Sequence, residues 1–202
     1  MKKLLTLFIL PVLIIALAFL IVRSINQPVK FNSETEARSK IGIERLKDIR
    51  TLQIAFKSTY GRYSPTIDSL VDFYNNGKIT IVKQIGSLDD SLAVAKKLIK
   101  RENIEVFVRD TLFNDKPNFK IDSLTTIPFS GGDKVIILST IKSVSGVDVP
   151  LFEANMPYSS LLKGLDKQLI INLVSTKEEI NRYPGLQVGS ITNPNNNAGN
   201  WE

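Results

Sequence analysis

The sequence predicts an α+β fold: an N-terminal transmembrane helix, then a long amphipathic helix packed on a mainly antiparallel β-sheet. Three observations predict it. An uncharged apolar run fills residues 4–22. Apolar residues then recur at helical spacing as far as Tyr60. Beyond Asn76, short β-branched segments alternate with clusters of glycine, asparagine, serine and proline. A chain of 202 residues has room for one membrane segment and one ordinary domain. The expected division is an anchor over 1–23, a linker over 24–32, an α+β domain over 33–192 and an asparagine-rich tail over 193–202.

The anchor is the run Leu4 to Val22, with Thr6 its only polar residue, between Lys2-Lys3 and Arg23. At about 1.5 Å per residue it nearly matches the ~30 Å hydrocarbon core of a bilayer. Pro11 is tolerable in such a helix. The alternative is a cleaved signal peptide with Ala16-Leu17-Ala18 as the cutting site. That alternative leaves the apolar Phe19 to Val22 at a mature N-terminus, so an uncleaved, single-pass anchor is expected. With Lys2 and Lys3 on the inner side, everything after Arg23 lies across the membrane.

Gln27-Pro28 is expected to break the helix, because the residue before proline is pushed out of the helical region. Ser33 and Glu36 then form a capping box for a second helix running to Tyr60. Its main apolar stripe is Leu46, Ile49, Leu52, Phe56 and Tyr60. Ile43 and Ile54 align with each other off that stripe, as a thinner seam for core packing or for a partner. Gly61 fits the left-handed position after a helix. Ser64 and Pro65 are expected to cap and open a short helix bearing Ile67, Leu70, Val71 and Phe73, ended by Asn75-Asn76-Gly77.

The remainder reads as follows. Lys78–Ile85 is a strand. Residues 87–100 form a helix with acids early and lysines late. Ile104–Phe113 is a strand. "LTTIPF" and "KVIILSTIKSV" are two strands about the turn Ser130-Gly131-Gly132-Asp133. "VPLFEANMPY" is a further strand and Ser159 to Leu165 a helical turn. "QLIINLVSTKEEI" starts as a strand, and "LQVGSI" is a last short one. The tail "NPNNNAGNWE" is expected to be irregular, with Trp201 docked on the domain.

The segment from Ile43 to Leu70, together with the order anchor, helix, sheet, resembles type IV pilins and the pseudopilins of type II secretion. The matching positions are Ile49, Leu52, Ala55, Phe56, Tyr60, Gly61, Tyr63, Pro65 and Leu70, with Ser64 as one extra residue between Tyr63 and Pro65. The resemblance implies a membrane helix that continues outward and packs on an antiparallel sheet. The chain departs from it in two ways. Lys2-Lys3 meets Leu4 without the leader glycine where a peptidase cuts, and Leu4 to Val22 lacks the glutamate that pairs neighbours in a filament. A pilin-like module on a fixed anchor is therefore expected, rather than a filament subunit. The calcium loop of some pseudopilins is not carried over, since the C-terminal asparagines and Glu202 make a poor oxygen cage.

Composition narrows the chemistry further. The chain has no cysteine and no histidine. That excludes disulfides, thiolate catalysis, cysteine-based zinc sites and the commonest general base. Net charge is +6, yet Lys96, Lys97, Lys100 and Arg101 form the only dense basic cluster. They read as a solvated helix face, not a nucleic-acid footprint. Ser160 and Lys163 match the S-x-x-K of acyl-serine enzymes, but the other motifs of that class are absent; a serine hydrolase is the remote alternative. Asp89-Asp90 and Glu178-Glu179 are adjacent pairs whose side chains diverge. The expectation is a non-enzymatic, membrane-anchored scaffold or interaction protein of the bacterial envelope. It takes no cofactor, metal, nucleic acid or small-molecule substrate, and its partners are the bilayer through residues 4–22 and other envelope proteins. A secreted binding module is the alternative.

Overall fold

The structure is a computed structural model that describes residues 10–85 and 100–202. One helix dominates it. Helix α1 runs without interruption over Leu10–Tyr60, 51 residues and roughly 77 Å. The expected linker over 24–32 is therefore helical, and the Ser33 capping box is not a helix start. Pro28 sits inside the helix. It cannot donate to the carbonyl of Ser24, but both residues are exposed, so water can take that acceptor. The helix opens on apolar residues that the domain leaves exposed, among them Leu13, Ile14, Phe19 and Val22. Its second half is rooted in the domain through Leu46, Ile49, Leu52 and Phe56, which are buried. That is the predicted stripe, apart from Tyr60, whose ring is half exposed.

Helix α2 spans Ile67–Asn76 and buries Ile67, Leu70 and Phe73. Its cap is Thr66, whose side chain accepts from the Ser69 N–H at 3.2 Å, so the helix starts two residues after the expected Ser64 cap. Gly77 ends it. Strand β1, Lys78–Ile85, has the predicted bounds and pairs antiparallel with β2, Lys100–Phe107. The strand expected to run to Phe113 stops at Phe107. Val108 turns into the core, fully buried, and opens a 3-10 turn to Asp110. The helix expected over 87–100 and the basic cluster on it lie outside the described residues, apart from the start of β2.

The second sheet has three antiparallel strands in the order β3-β4-β5. Strand β3 is Ile136–Val144, β4 is Val147–Pro157 and β5 is Gly185–Gly189. Ser145 and Gly146, both with positive φ, form the two-residue hairpin turn between β3 and β4. Of the strand expected at "LTTIPF" only an isolated bridge forms, Thr126 to Lys134. The turn between them is as expected: Ser130 Oγ accepts from the N–H groups of Gly132 and Asp133.

A one-turn helix α3, Tyr158–Leu161, leads to α4, Lys167–Glu179. The strand expected at "QLIINLV" is this helix. Asp166 caps it twice, accepting from Gln168 N at 3.0 Å and Leu169 N at 3.1 Å. Leu169, Ile170 and Leu173 then pack on the core from one helical face. The residues between the cap and Leu173 suit either period, and the cap decides.

The core lies between α1 and the inner face of the second sheet. Phe152, Ala154 and Met156 of β4 and Leu186 and Val188 of β5 meet the α1 stripe. At Gly42 the helix comes so close to Leu186 that a Cβ would meet its methyl. The molecule is thus α+β, with one long apolar-fronted N-terminal helix and small antiparallel sheets.

Candidate functional site

The segment from Tyr60 to Pro65 is a fastening point. Gly61, at φ +72°, donates its N–H to the Lys57 carbonyl at 2.8 Å and ends α1. The chain then folds back, and Gln53 holds it there. Gln53 is wholly buried. Its Nε2 donates to the Ser64 carbonyl at 3.0 Å, and its Oε1 accepts from the Ser64 N–H at 2.8 Å. One side chain thereby satisfies both backbone groups of a buried residue. Tyr60 closes an aromatic group with Phe56 at 4.6 Å and Phe73 at 5.7 Å between ring centroids. Pro65 is exposed beside the turn.

Tyr63 is buried and links this turn to the C-terminal tail. Its ring lies 4.7 Å from that of Phe152, and its hydroxyl accepts from Asn197 Nδ2 at 3.0 Å. The tail is built in at several points. Arg50 donates to Glu202 Oε1 at 2.6 Å and to the Asn197 carbonyl at 3.2 Å. Asn200 N donates to the Gln187 carbonyl at 2.9 Å, and Gly199 bridges Val188. The tail therefore covers the outer edge of β5, and Trp201 packs against the core as expected. Arg50 holds the Glu202 carboxyl below its ordinary range. Sequence reading missed Gln53, Asn197 and Asn200. A lone glutamine on a stripe otherwise apolar was the available signal for Gln53.

Ile43 and Ile54 do not share one environment. Ile43 is half-buried, packs on the core and lines a depression of about 630 Å³ with Tyr158, Leu186 and Trp201. Ile54 is 50% exposed. Eleven residues bring them to the same side of the helix but roughly 16 Å apart along it, where the domain covers one and leaves the other open. A second open apolar surface runs along β3. This edge strand carries Ile136 and Leu138 on one face and Ile141 on the other, all exposed, and among the described residues no strand pairs its outer side.

In the domain-embedded part of α1, Asp48 is buried and pairs with Lys116, which clamps the loop after β2 onto the helix. Burial lifts the Asp48 carboxyl above its ordinary range despite that pairing, while the carboxylate raises Lys116. Ser160 and Lys163 do not lie on one helix, because α3 ends at Leu161. The Lys163 ammonium instead lies 4.0 Å from Asp133 Oδ1. Among the described residues, no three acidic side chains gather as a metal-binding group.

These features define a class: an α+β protein in which, among the described residues, one helix, near the N-terminus, is long and apolar enough to cross a membrane. No protein family, curated protein or solved structure matches the chain.

Proposed function

We propose that this chain is a single-pass protein of the bacterial inner membrane whose pilin-like extracytoplasmic domain is a scaffold or interaction module, associated with secretion. The observation that carries the reading is α1 itself. One rigid rod presents bare apolar side chains at its N-terminal end and is the central core element of the domain at the other. Such a helix couples the position of the domain to the bilayer without a flexible joint. The packing of its outer half on an antiparallel sheet is the arrangement that the pilin resemblance implies. The exposed Ile54 and the open edge of β3 are the surfaces for protein partners, since unpaired strand edges and isolated apolar patches are sites of association. The chemistry is binding, not catalysis.

The reading is tested by fractionation and topology. The full chain should stay with membranes through alkaline carbonate. In spheroplasts an added protease should digest the domain while residues 1–23 stay protected. Release by carbonate, or protection of the domain, overturns it. A photocrosslinking residue at position 54 should form discrete adducts in cells, and one at buried Leu52 should not.

A further inference from the structure

Where α1 leaves the apolar run, a groove of about 480 Å³ opens between it and the loop joining α3 to α4. Phe19, Val22, Arg23, Lys30, Glu34 and Asp166 are among the residues that line it. Their order along the helix axis carries chemical information. Phe19 and Val22 belong to the apolar run. Arg23 stands about 1.5 Å above Val22, Lys30 about 12 Å and Glu34 about 18 Å. Asp166 is held at the level of Gln27, which donates to its carboxylate. Side chains on a helix lean towards its N-terminus, here towards the apolar end, so Lys30 and Glu34 reach down into the groove. The groove is therefore apolar at its lower end, and above it two cations, Arg23 and Lys30, alternate with two carboxylates, Asp166 between them at the level of Gln27 and Glu34 outermost. Among the described residues neither Arg23 nor Lys30 belongs to an ion pair, and Glu34 is only loosely paired, 3.9 Å from Arg38.

We propose that this groove holds one phospholipid with a zwitterionic, primary-ammonium headgroup, of the phosphatidylethanolamine type. The inference rests on the membrane-anchor reading above. An acyl chain lies along Phe19 and Val22. Arg23 and Lys30 take the phosphate, and Glu34 and Asp166 take the ammonium. The polar headgroup layer adds about 5–8 Å on each side of the hydrocarbon core, which matches the level of Arg23 to Gln27, and so of Asp166, when Val22 marks the boundary; Lys30 and Glu34 reach it by leaning down from about 12 and 18 Å. Anionic headgroups without an amine leave the two carboxylates facing negative charge. A trimethylammonium headgroup has no N–H to donate to them. The primary ammonium satisfies both conditions. The bound lipid would bridge α1 and the α3–α4 loop beside the Gln27–Asp166 bond, and so set the height of the domain over the bilayer.

The test is native mass spectrometry of the full-length protein in detergent, offered equal amounts of ethanolamine, choline and glycerol phospholipids. The ethanolamine lipid should be retained roughly tenfold over the other two, the factor that one charge-assisted hydrogen bond supplies. Arg23→Gln with Lys30→Gln should lose all three adducts. Glu34→Gln should keep the adducts and lose the preference for ethanolamine over choline. Unchanged emission from Trp201, far along α1, shows that each variant is folded. Equal retention of the three lipids, or adducts that survive the double substitution, overturns the proposal alone. A chain that carbonate strips from membranes overturns the anchor reading and the proposal with it.

Discussion

Replacing Gln53 by alanine removes both polar atoms that hold Ser64. Ser64 and Gln53 are fully buried, and the two bonds between them are 3.0 Å and 2.8 Å long. In the variant the Ser64 N–H and carbonyl lose their partner in a place closed to water. Each unsatisfied group costs about 1–3 kcal/mol, and the vacated amide adds a small cavity. A loss of roughly 2–5 kcal/mol is expected from a total of about 5–15 kcal/mol for an ordinary domain. With a urea slope of about 2 kcal/mol per molar, the midpoint falls by about 1–2.5 M. The assay is urea unfolding of the full-length protein in detergent, followed by the emission of Trp201, the only tryptophan. Gln53→Glu sharpens the test. It keeps the shape but sets a carboxylate against the Ser64 carbonyl in a buried site, so its folded-state pKa must rise above the ordinary ~4.3. The penalty is then full near neutral pH and shrinks as pH falls and the acid becomes a donor. A Gln53→Ala midpoint within 0.3 M of wild type (on the order of 0.6 kcal/mol at that slope), or a Gln53→Glu penalty that does not change with pH, would refute the reasoning.

Three further outcomes are expected. Arg50→Ala should shift Trp201 emission to the red at neutral pH, because the Glu202 tether is lost. In wild type the Glu202 carboxyl is held low by Arg50, so its contribution is present above the unfolded pKa and lost as pH falls through the lower, folded one; a red shift on acidification to below the ordinary carboxylate range should appear in wild type and be absent in Arg50→Ala. Asp48→Asn should flatten the pH dependence of stability in the opposite sense, since a carboxyl raised by burial loses stability as pH climbs from its unfolded to its folded pKa, and denaturation midpoints from pH 3 to 7 measure it. Gly189→Ala should cost about 2–4 kcal/mol in the same unfolding assay, because φ is +75° and a Cβ there overlaps the Phe152 carbonyl oxygen.

Much of the local architecture is legible in the residues. The stripe Leu46, Ile49, Leu52, Phe56 is buried as its spacing requires. Gly61 has the left-handed backbone that a helix end asks for. Strand β1 begins and ends where its alternation does. The misread elements share a cause. Pro28, the "QLIINLV" segment and the Ile104–Phe113 run are each compatible with two local structures, and long-range neighbours choose between them. Pro28 lies in a helix already anchored on its C-terminal side. Asp166 caps α4, and Val108 is drawn into the core, which stops β2 six residues short of the expected Phe113.

By itself the sequence determined an apolar run of membrane length, an amphipathic helix, a β-rich second half and the absence of thiol and imidazole chemistry. Those are properties of composition and period, and they need no partner residue. Only the tertiary structure decided that the apolar run and the domain share one helix, that Gln53 clasps Ser64, that Ile43 is covered while Ile54 is bare, and that a polar tail seals one edge of a sheet whose other edge is left unpaired among the described residues. Each of these depends on which distant side chain arrives to satisfy a buried donor or cover an apolar face. Arg50 and Glu202, 152 positions apart, carry no mark in the chain that they will meet.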